Sequence, residues 1–390
     1  MVKELHVIVV GAGLGGLTAT LALQRAGFRV SVFEQAAELG EAGAGVTITP
    51  NGAHALNHLL GEDVMRRVAR TPAAGAIKHY RTGAILVETN RGDRMRERYG
   101  AAYCQAHRAD LHGALADAVR AMDPDCLHTG CGFVALAETA GSVTATFGNG
   151  RSETADVLVG CDGIRSAVRR ALWGEEQVVF TGYIAWRGLV PMARLDPAVV
   201  VPDSASFAGP ARTFARYKVR NGTLVNFAAF SKRDEWAEES WSVHSGIAEL
   251  QREFSDFAPE VQAIIAATPP QRCFKWGLFD REPLPQWTRG RATLLGDAAH
   301  PMTPFLAQGA VMAIEDGMVL ARAMQAASGW QEGLARYEAA RRERGTFVMR
   351  ESHVNARRMY SRDPDNYGSS SHRTAESLGL YAYNPLTAPV

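Results

Sequence analysis

The sequence contains few cysteines, and their spacing suggests neither disulfides nor a metal site. Its 390 residues include five cysteines, an odd number, and no two of them have the CxxC spacing. We therefore expect no disulfide framework, no zinc site or other bound metal, and a reducing cytoplasm as the location. The five are Cys104, Cys126, Cys131, Cys161 and Cys273.

The chain also lacks an excess of either charge and lacks a long hydrophobic run. Lys and Arg number 42 and Asp and Glu 41, so bulk charge predicts neither a nucleic-acid partner nor a membrane surface. No apolar run approaches the roughly 20 residues of a transmembrane helix. The apolar stretch near the N-terminus is only "VIVV", followed at once by glycine, so we expect a mature N-terminus without a signal peptide.

Glycine is present where a strand gives way to a helix. "HVIVV" predicts a strand buried on both faces, "LGGLTATLALQRAG" a helix and "RVSVFE" a second strand. Gly11, Gly13 and Gly16 lie between the first strand and the helix with GxGxxG spacing. These glycines permit a tight turn and let a pyrophosphate approach the helix N-terminus. A glycine-rich turn without a ligand is the alternative for this motif taken alone.

An acidic residue at the end of the second strand indicates which nucleotide would bind. Glu34 follows the glycines at close to the expected spacing of about 20 residues. Its carboxylate can accept both ribose hydroxyls of an adenosine and would repel a 2′-phosphate. The motif thus favours FAD or NAD over NADP, without deciding between the first two.

Two further acidic turns follow apolar strands much later in the chain. "VGCDGIRSAVRR" at 159–170 places Asp162-Gly163 at a strand end, and "LLGDAAHPMTPFLAQGA" at 294–310 does the same with Gly296-Asp297. The second turn leads through two prolines to "AVMAIEDGMVLARAM", which predicts a helix.

Together these motifs resemble the single-component FAD-dependent aromatic hydroxylases, the family of para-hydroxybenzoate hydroxylase, salicylate hydroxylase and 6-hydroxynicotinate 3-monooxygenase. The resemblance spans about residues 5–345, and "YGAAYCQAHRADLH" and "AQGAVMAIED" are most similar to the last of these. It implies that NAD(P)H reduces a bound FAD and that O2 then forms a flavin C4a-hydroperoxide. Oxygen transfer would go to an electron-rich ring, a hydroxybenzoate or a hydroxypyridine carboxylate, with or without decarboxylation.

The resemblance also implies which residues contact FAD. A reduced flavin is negatively charged at its pyrimidine edge, and a helix N-terminus near Gln308 would stabilise that charge. The implied FAD-binding residues are, at the pyrophosphate, Gly11, Gly13, Leu14 and Gly16; at the adenosine, Glu34 and Gln35; beside the phosphate and ribityl chain, Arg108; in the motif shared with NAD(P)H, Asp162 and Gly163; at the ribityl hydroxyls, Gly296 and Asp297; and at the pyrimidine edge, Gln308, Gly309 and Ala310.

The expected fold class is α/β: a Rossmann-type FAD-binding domain with a parallel sheet, an antiparallel-sheet substrate domain and a C-terminal helix. The FAD-binding domain is predicted at 1–175 and 270–345, the substrate domain at 176–269, and the helix end and tail at 346–390. The segment 212–230 alternates and breaks at Asn221-Gly222, a strong hairpin signal. Helices are predicted at about 244–267 and 330–360, and the polar tail from 361 is expected to be a loop.

Candidate catalytic residues are Tyr217, His300 and Pro304. Alternation along 212–220 places Tyr217 on the less charged face of its strand, so either it faces substrate or it is a core tyrosine. The cations on the other face are expected to be solvated. His300 either lies near the ring edge or orients its loop, and Pro304 with Phe305 is expected to form pocket wall.

Four positions depart from the family pattern. Ala307 stands where a glycine is usual, and Val311 replaces an amide side chain. Thr47 and Thr213 stand where the 6-hydroxynicotinate enzyme and other relatives carry histidines. The last two changes argue against transferring that enzyme's substrate to this chain.

Other functions are open on the sequence. A hydroxylase of non-carboxylate phenols or polycyclic compounds uses the same fold. A flavin halogenase is less favoured because "WRGLVP" lacks the second tryptophan and the isoleucine of WxWxIP. A non-catalytic NAD-binding module is the alternative from another class. The long basic helix at 330–360 either forms a homodimer surface or covers the core of its own chain.

Overall fold

The computed structural model describes residues 5–40, 44–89, 92–233, 243–244, 246–360, 363–366 and 374–390. The tail predicted as a loop at 361–373 therefore lies mostly outside the described residues. Within the described ranges, no helix combines the length and the apolarity needed to cross a bilayer.

The described strands alternate with helices along the first half of the chain and cluster in its middle. The strands are β1 His6–Val10, β2 Arg29–Phe33, β3 Gly45–Ile48, β4 Ala69–Arg70, β5 Gly75–His79, β6 Ile85–Thr89, β7 Cys104–His107, β8 Leu127–His128, β9 Phe133–Glu138, β10 Val143–Phe147, β11 Ser152–Ala155, β12 Val157–Gly160, β13 Val179–Pro191, β14 Ser204–Gly209, β15 Arg212–Val219, β16 Leu224–Lys232, β17 Val243–His244, β18 Cys273–Asp280, β19 Thr288–Arg289 and β20 Ala292–Leu294. The helices are α1 Leu14–Arg25, α2 Pro50–Leu60, α3 Glu62–Val68, α4 Asp93–Tyr99, α5 Arg108–Met122, α6 Ala167–Trp173, α7 Ile247–Glu253, α8 Pro259–Ala267, α9 Gly309–Ala326 and α10 Trp330–Tyr360.

A six-stranded sheet forms the first layer, in the order β19-β20-β12-β1-β2-β8. Strand β1 pairs in parallel with both β2 and β12, and β12 pairs in parallel with β20. All five residues of β1 are buried, which confirms the predicted central strand. Because the carboxyl ends of parallel strands share one edge, the turns after β1, β12 and β20 lie together.

An eight-stranded sheet forms the second layer, in the order β17-β18-β13-β16-β15-β14-β5-β6. The predicted hairpin is confirmed: β15 and β16 pair antiparallel, and Asn221 and Gly222 at the turn have φ of 53° and 86°. Strands β5, β6 and β18 come from outside 176–269, and β5 pairs in parallel with β14. The predicted substrate domain thus leaves out three strands of its own sheet.

The face of β15 that carries alternating cations is packed at its centre, so the prediction of a solvated face is wrong for Arg216, whereas Arg220 at the turn is exposed. Phe214 and Arg216 are fully buried. Phe214 stacks on Phe227 at 5.1 Å between ring centroids and lies 5.9 Å from Phe254 at the end of α7. Arg216 donates to the carbonyl oxygen of Val201 at 3.1 Å. Helices α7 and α8 cover this face, and the two terminal nitrogens of Arg216 donate to the backbone carbonyls of Pro202 and Val201 where water was expected.

The single helix predicted at about 244–267 is two helices. Helix α7 ends at Glu253, and α8 begins at Pro259, whose ring is accommodated in a first turn. The long helix predicted at 330–360 is confirmed as α10 and packs on α9. This packing places α10 over the core of its own chain, and a homodimer stays a prediction.

Candidate active site

Three glycines shape the turn between β1 and α1. Gly11 has φ of 101°, and a Cβ there would lie 2.5 Å from the carbonyl oxygen of Cys161. A Cβ at Gly16 would collide with the carbonyl oxygen of Gly11. A Cβ at Gly13 would meet no protein atom within 4 Å. Gly11 and Gly16 are therefore required by the protein itself, whereas Gly13 leaves space open for a ligand.

Two helices begin at the edge of this space without capping groups. Neither Gly13 before α1 nor Gln308 before α9 makes a side-chain cap hydrogen bond, and neither helix has an acidic residue in its first turn. Uncapped N–H groups together with the helix dipoles form sites for anions. The two predicted positions, for a pyrophosphate at α1 and a flavin edge at α9, fit this arrangement.

Glu34 follows β2 and faces the same space. One of its carboxylate oxygens accepts from the backbone N–H of Ala12 at 2.8 Å, and the other accepts from that of Ala36 at 2.9 Å. These bonds hold the carboxylate beside the glycine turn. Glu34 and Gln35 both line the cavity, as expected for residues that contact an adenosine.

Arg108 and Asp297 bring opposite charges to the middle of the cavity, and both line it. Arg108 is the first residue of α5, and its backbone N–H donates to the carbonyl oxygen of Ala44 at 2.8 Å. Removal from bulk water raises the pKa of Asp297, which the charges of His300 and Arg108 oppose. Arg108 is therefore close enough to act on the Asp297 carboxylate.

Asp162 is directed toward its own helix. Its carboxylate accepts from the hydroxyl of Ser166 at 2.5 Å and from the backbone N–H groups of Ala167 and Val168 at 2.6 and 3.1 Å. Burial raises its pKa, against the effect of these hydrogen bonds. The predicted FAD contact at this turn thus rests on Gly163 and the backbone, because the Asp162 carboxylate caps α6.

One cavity of about 1030 Å³ connects these groups with the second sheet. This volume is at the upper end of that of sites for drug-sized ligands, so it can hold a dinucleotide cofactor with a small second ligand. One end, called here the cofactor end, is lined by Gly13, Glu34, Arg108, Asp162 and Asp297. The other end, the substrate end, is lined by Thr47, Arg187, Ser204, Ser206, Thr213, Ala215, Tyr217, Ala228, Phe230, Pro304 and Phe305.

Tyr217 lies in the substrate end, on the face predicted from alternation. Its ring packs so closely on Gly45 that a Cβ there would lie 2.5 Å from the phenol oxygen. Its hydroxyl forms a hydrogen bond with Thr47. Burial raises the pKa of Tyr217 above its ordinary value, against the smaller lowering by the charge of Arg187. Tyr217 is therefore a protonated hydrogen-bond donor at neutral pH.

His300 lies outside the lining of the cavity. It is 2% exposed, packs 5.0 Å from the ring of Trp287 and places its Nε2 2.5 Å from Asp316. Asp316 also accepts from the backbone N–H of Gly296 at 3.0 Å and from Nε of Arg341 at 2.7 Å. This position favours the loop-orienting alternative, and contact of His300 with a substrate has no support in the geometry.

Pro304 and Phe305 form a wall of the substrate end, as expected. The Phe305 ring lies 5.3 Å from the rings of both Tyr183 and Phe230. Asn355 of α10 donates to the backbone carbonyl of Phe305 at 2.7 Å. An aromatic wall fixed from two sides suits a flat apolar ring.

The four departures from the family pattern have different structural consequences. Ala307 adopts a left-handed conformation with φ of 53°, which costs an L-residue roughly 1 kcal/mol and explains why glycine is usual there. Val311 is fully buried on α9 and packs against Gly52. Thr47 and Thr213 both line the substrate end, so the two absent histidines remove bases from this part of the cavity.

Two parts of the cavity were not predicted from the sequence. Arg187 on β13 lines the substrate end, although "WRGLVP" was considered only for its missing tryptophan. Alternation along "YIAWRGLV" was the available signal. The second part is the C-terminal segment: Thr374, Ala375 and Tyr381 also line the cavity. The polar composition of the tail gave no sign that the C-terminal segment packs against the cavity.

Comparison with known proteins agrees with the geometry. The FAD binding domain family matches residues 4–352. The chain is 37% identical over 381 residues to the 3-amino-4-hydroxybenzoate 2-monooxygenase PtmB3 of Streptomyces platensis, covering 97% of this chain and 95% of that protein. It is 36% identical over 375 residues to the 6-hydroxynicotinate 3-monooxygenase of Pseudomonas fluorescens, covering 93% of this chain and 94% of that protein.

Among solved structures, the fold is similar to that of Klebsiella pneumoniae HpxO complexed with FAD and uric acid. The TM-score is 0.87 and the identity 28%, over 100% of this chain and 98% of the HpxO chain. The whole chain, including both sheets and the C-terminal segment, therefore has a counterpart in a protein crystallised with FAD.

Proposed function

The chain belongs to the FAD binding domain family and is an FAD-dependent monooxygenase, and on that premise we propose that it hydroxylates a small aromatic acid. The proposed substrate is a hydroxybenzoate, an aminohydroxybenzoate or a hydroxypyridine carboxylate. The observation that carries this proposal is the substrate end, where an aromatic wall, the hydroxyl of Tyr217 and the cation Arg187 surround one space. The relatives named above act on compounds of this class.

The residues of the cofactor end fit FAD. Open space at Gly13, the uncapped starts of α1 and α9, and the fixed carboxylate of Glu34 match a pyrophosphate, a flavin edge and an adenosine ribose. When bound, FAD accepts a hydride from NAD(P)H and supplies activated oxygen for the ring. A non-catalytic NAD-binding module is wrong, because the family match extends far beyond the first strand–helix–strand unit.

The protein's own groups orient the substrate and exclude water. The rings of Phe230 and Phe305 hold a flat ring in the substrate end. Tyr217 stays protonated because burial raises its pKa, so its hydroxyl donates a hydrogen bond to an oxygen on the substrate ring. Tyr381 lines the cavity on the side of the C-terminal segment and covers part of it there. Covering the substrate in this way would limit the loss of activated oxygen to water.

The test is substrate-stimulated turnover of the purified holoenzyme in air. Consumption of NADH and of NADPH would be followed together with hydrogen peroxide, alone and with hydroxybenzoates, aminohydroxybenzoates and hydroxypyridine carboxylates. We expect one compound to accelerate consumption while peroxide stays low, with a hydroxylated product by mass spectrometry. Product mass also reports whether the carboxylate is lost. If no acid stimulates turnover and a neutral phenol or a polycyclic compound does, the aromatic-acid proposal is wrong.

We also propose the cytoplasm as the location of this reaction. All five cysteines are free thiols, three of them less than 5% exposed, and a reducing compartment keeps them so. NAD(P)H is required there as a co-substrate. Fractionation of the native host with an antibody against the chain would test this directly.

A further inference from the structure

Arg187 stands in a cavity-facing row that crosses four strands of the second sheet. Its register partner on β16 is Ala228, which pairs with Ala215 on β15, and Ala215 pairs with Ser206 on β14. All four residues line the cavity. Adjacent strands are roughly 4.8 Å apart, so the two alanines form a flat floor about as wide as a benzene ring. A cation stands at one side of this floor and a hydroxyl at the other.

The rows on either side are larger and complete the outline of the floor. Phe230 pairs with Thr213 on one side, and Asn226 pairs with Tyr217 on the other. Phe230 belongs to the aromatic wall, and Tyr217 carries the protonated hydroxyl. A ring on the floor therefore has Tyr217 at one edge and Arg187 at another, so two substituents of one ring can meet two different groups.

The guanidinium of Arg187 is held in place by an aromatic ring. It stacks over Trp276 on β18, 4.9 Å from the ring centroid. Stacking fixes the plane of the guanidinium, and a planar guanidinium can form in-plane, bidentate bonds with a carboxylate. Arg187 is also close enough to Tyr217 for its charge to act on that hydroxyl.

The acidic residues that line the cavity belong to the cofactor end, and the lining cations besides Arg187 are Arg108, Arg165 and Arg216. Among the described residues that line the cavity, the carboxylates are Glu34, Asp162 and Asp297, and no histidine is present. A substrate anion on the alanine floor thus faces the cation Arg187, which lies in the same row of the sheet. The same composition leaves the substrate end without an imidazole or carboxylate base.

We propose that Arg187 binds the ring carboxylate of the substrate and is the residue that makes the enzyme prefer aromatic acids. This inference rests on the proposed function. Tyr217 takes the ring hydroxyl, because a protonated phenol donates to an oxygen substituent, and Arg187 takes the anion. A ring hydroxylate is the other oxyanion that could meet Arg187, and the choice of ligands separates the two.

Ligand affinity of the FAD-loaded protein tests the assignment through changes in flavin absorbance. The probes are para-hydroxybenzoate, benzoate and para-hydroxybenzamide, which carry both groups, only the carboxylate and only the hydroxyl. Arg187→Met keeps the length and removes the charge. We expect it to weaken both acids about 10- to 100-fold, as for a charge-assisted hydrogen bond, and to leave the amide within about twofold.

Two further variants keep the result interpretable. Arg187→Lys retains the charge without the planar guanidinium and should bind the acids with intermediate affinity. If Arg187→Met loses FAD, Arg187→Lys replaces it as the test variant. The matched control is Arg212→Gln, which removes a guanidinium from β15 outside the cavity, where it pairs with Asp256 at 2.8 Å. The control should bind all three probes as the wild type does.

The outcomes are distinct. Equal affinity of wild type and Arg187→Met for the acids overturns the inference while the proposed function stands. Weakening of para-hydroxybenzamide with unchanged benzoate assigns Arg187 to the ring hydroxylate and also overturns it. Failure of the wild type to bind any aromatic acid, or to be stimulated by one, overturns the proposed function and the inference with it.

Discussion

Replacement of Gly13 by alanine separates what the protein needs from what the cofactor needs. Gly13 has φ of −70° and ψ of −178°, a conformation that any residue adopts, and an added Cβ meets no protein atom within 4 Å. The apoprotein should therefore fold normally. It should even gain about 0.4–1 kcal/mol, because alanine restricts the unfolded chain.

The same methyl group should weaken FAD binding. It would project into the cavity beside the first turn of α1, where the pyrophosphate has to approach the helix N–H groups. Overpacking of a close contact costs roughly 1–3 kcal/mol, which corresponds to a dissociation constant higher by about 5- to 150-fold. The holoenzyme should consequently lose its cofactor on dilution while the fold is intact.

Thermal unfolding of the apoprotein and titration with FAD measure the two effects separately. The control is Gly16→Ala, whose methyl would collide with the backbone of Gly11 and should lower the stability of the apoprotein as well. Normal FAD affinity in Gly13→Ala would refute the position of the pyrophosphate. A destabilised Gly13→Ala apoprotein would refute the open space at this glycine.

Further predictions concern stability, proton donation and closure. Asp316→Asn leaves the buried charge of Arg341 without full compensation and should cost about 3–5 kcal/mol in unfolding experiments; Glu332→Gln, at an exposed site, should change little. Burial raises the pKa of Asp316, but His300 and Arg341 outweigh it and lower the pKa to about 2. The stabilisation that the ionised Asp316 gives to the fold is thus complete above about pH 4, the ordinary range of Asp, and is lost as pH falls through 2. If Asp316→Asn left acid unfolding unchanged, this prediction would be wrong. Tyr217→Phe should lower kcat roughly 10-fold, and the wild-type rate should show no loss from Tyr217 ionisation below about pH 10. Tyr381→Ala should raise the share of NAD(P)H electrons released as hydrogen peroxide, and an unchanged share would show that this side chain does not seal the cavity.

Much of the cofactor end could be predicted because its signals are local. The glycines, Glu34 and the turn at Gly296-Asp297 each follow a buried strand within a few residues. Parallel pairing of β1 with β2 and β12 then brings these turns to one edge without further information. Asp162 shows the limit of such inference. Its position after a strand predicts a ligand-binding side chain, but its carboxylate caps α6 instead.

The substrate end depended on the pairing of distant strands. Alternation correctly placed Tyr217 toward the cavity, but it could not show that α7 and α8 cover the other face of β15 and bury Arg216. Arg187 was missed because its neighbours come from distant segments, such as Ala228 on β16 and Trp276 on β18.

By itself, then, the sequence determined the nucleotide-binding turns, the hairpin at Asn221-Gly222 and the long C-terminal helix. Each of these is specified by residues that are close together in the chain. Only the tertiary structure decided which side chains share the cavity. Strand register placed Arg187 beside Ala228, buried contacts turned His300 toward Asp316, and docking of the C-terminal segment brought Tyr381 to the cavity wall. The physical reason is that such neighbours are fixed by packing between segments far apart in the chain, which leaves no periodic pattern in either segment.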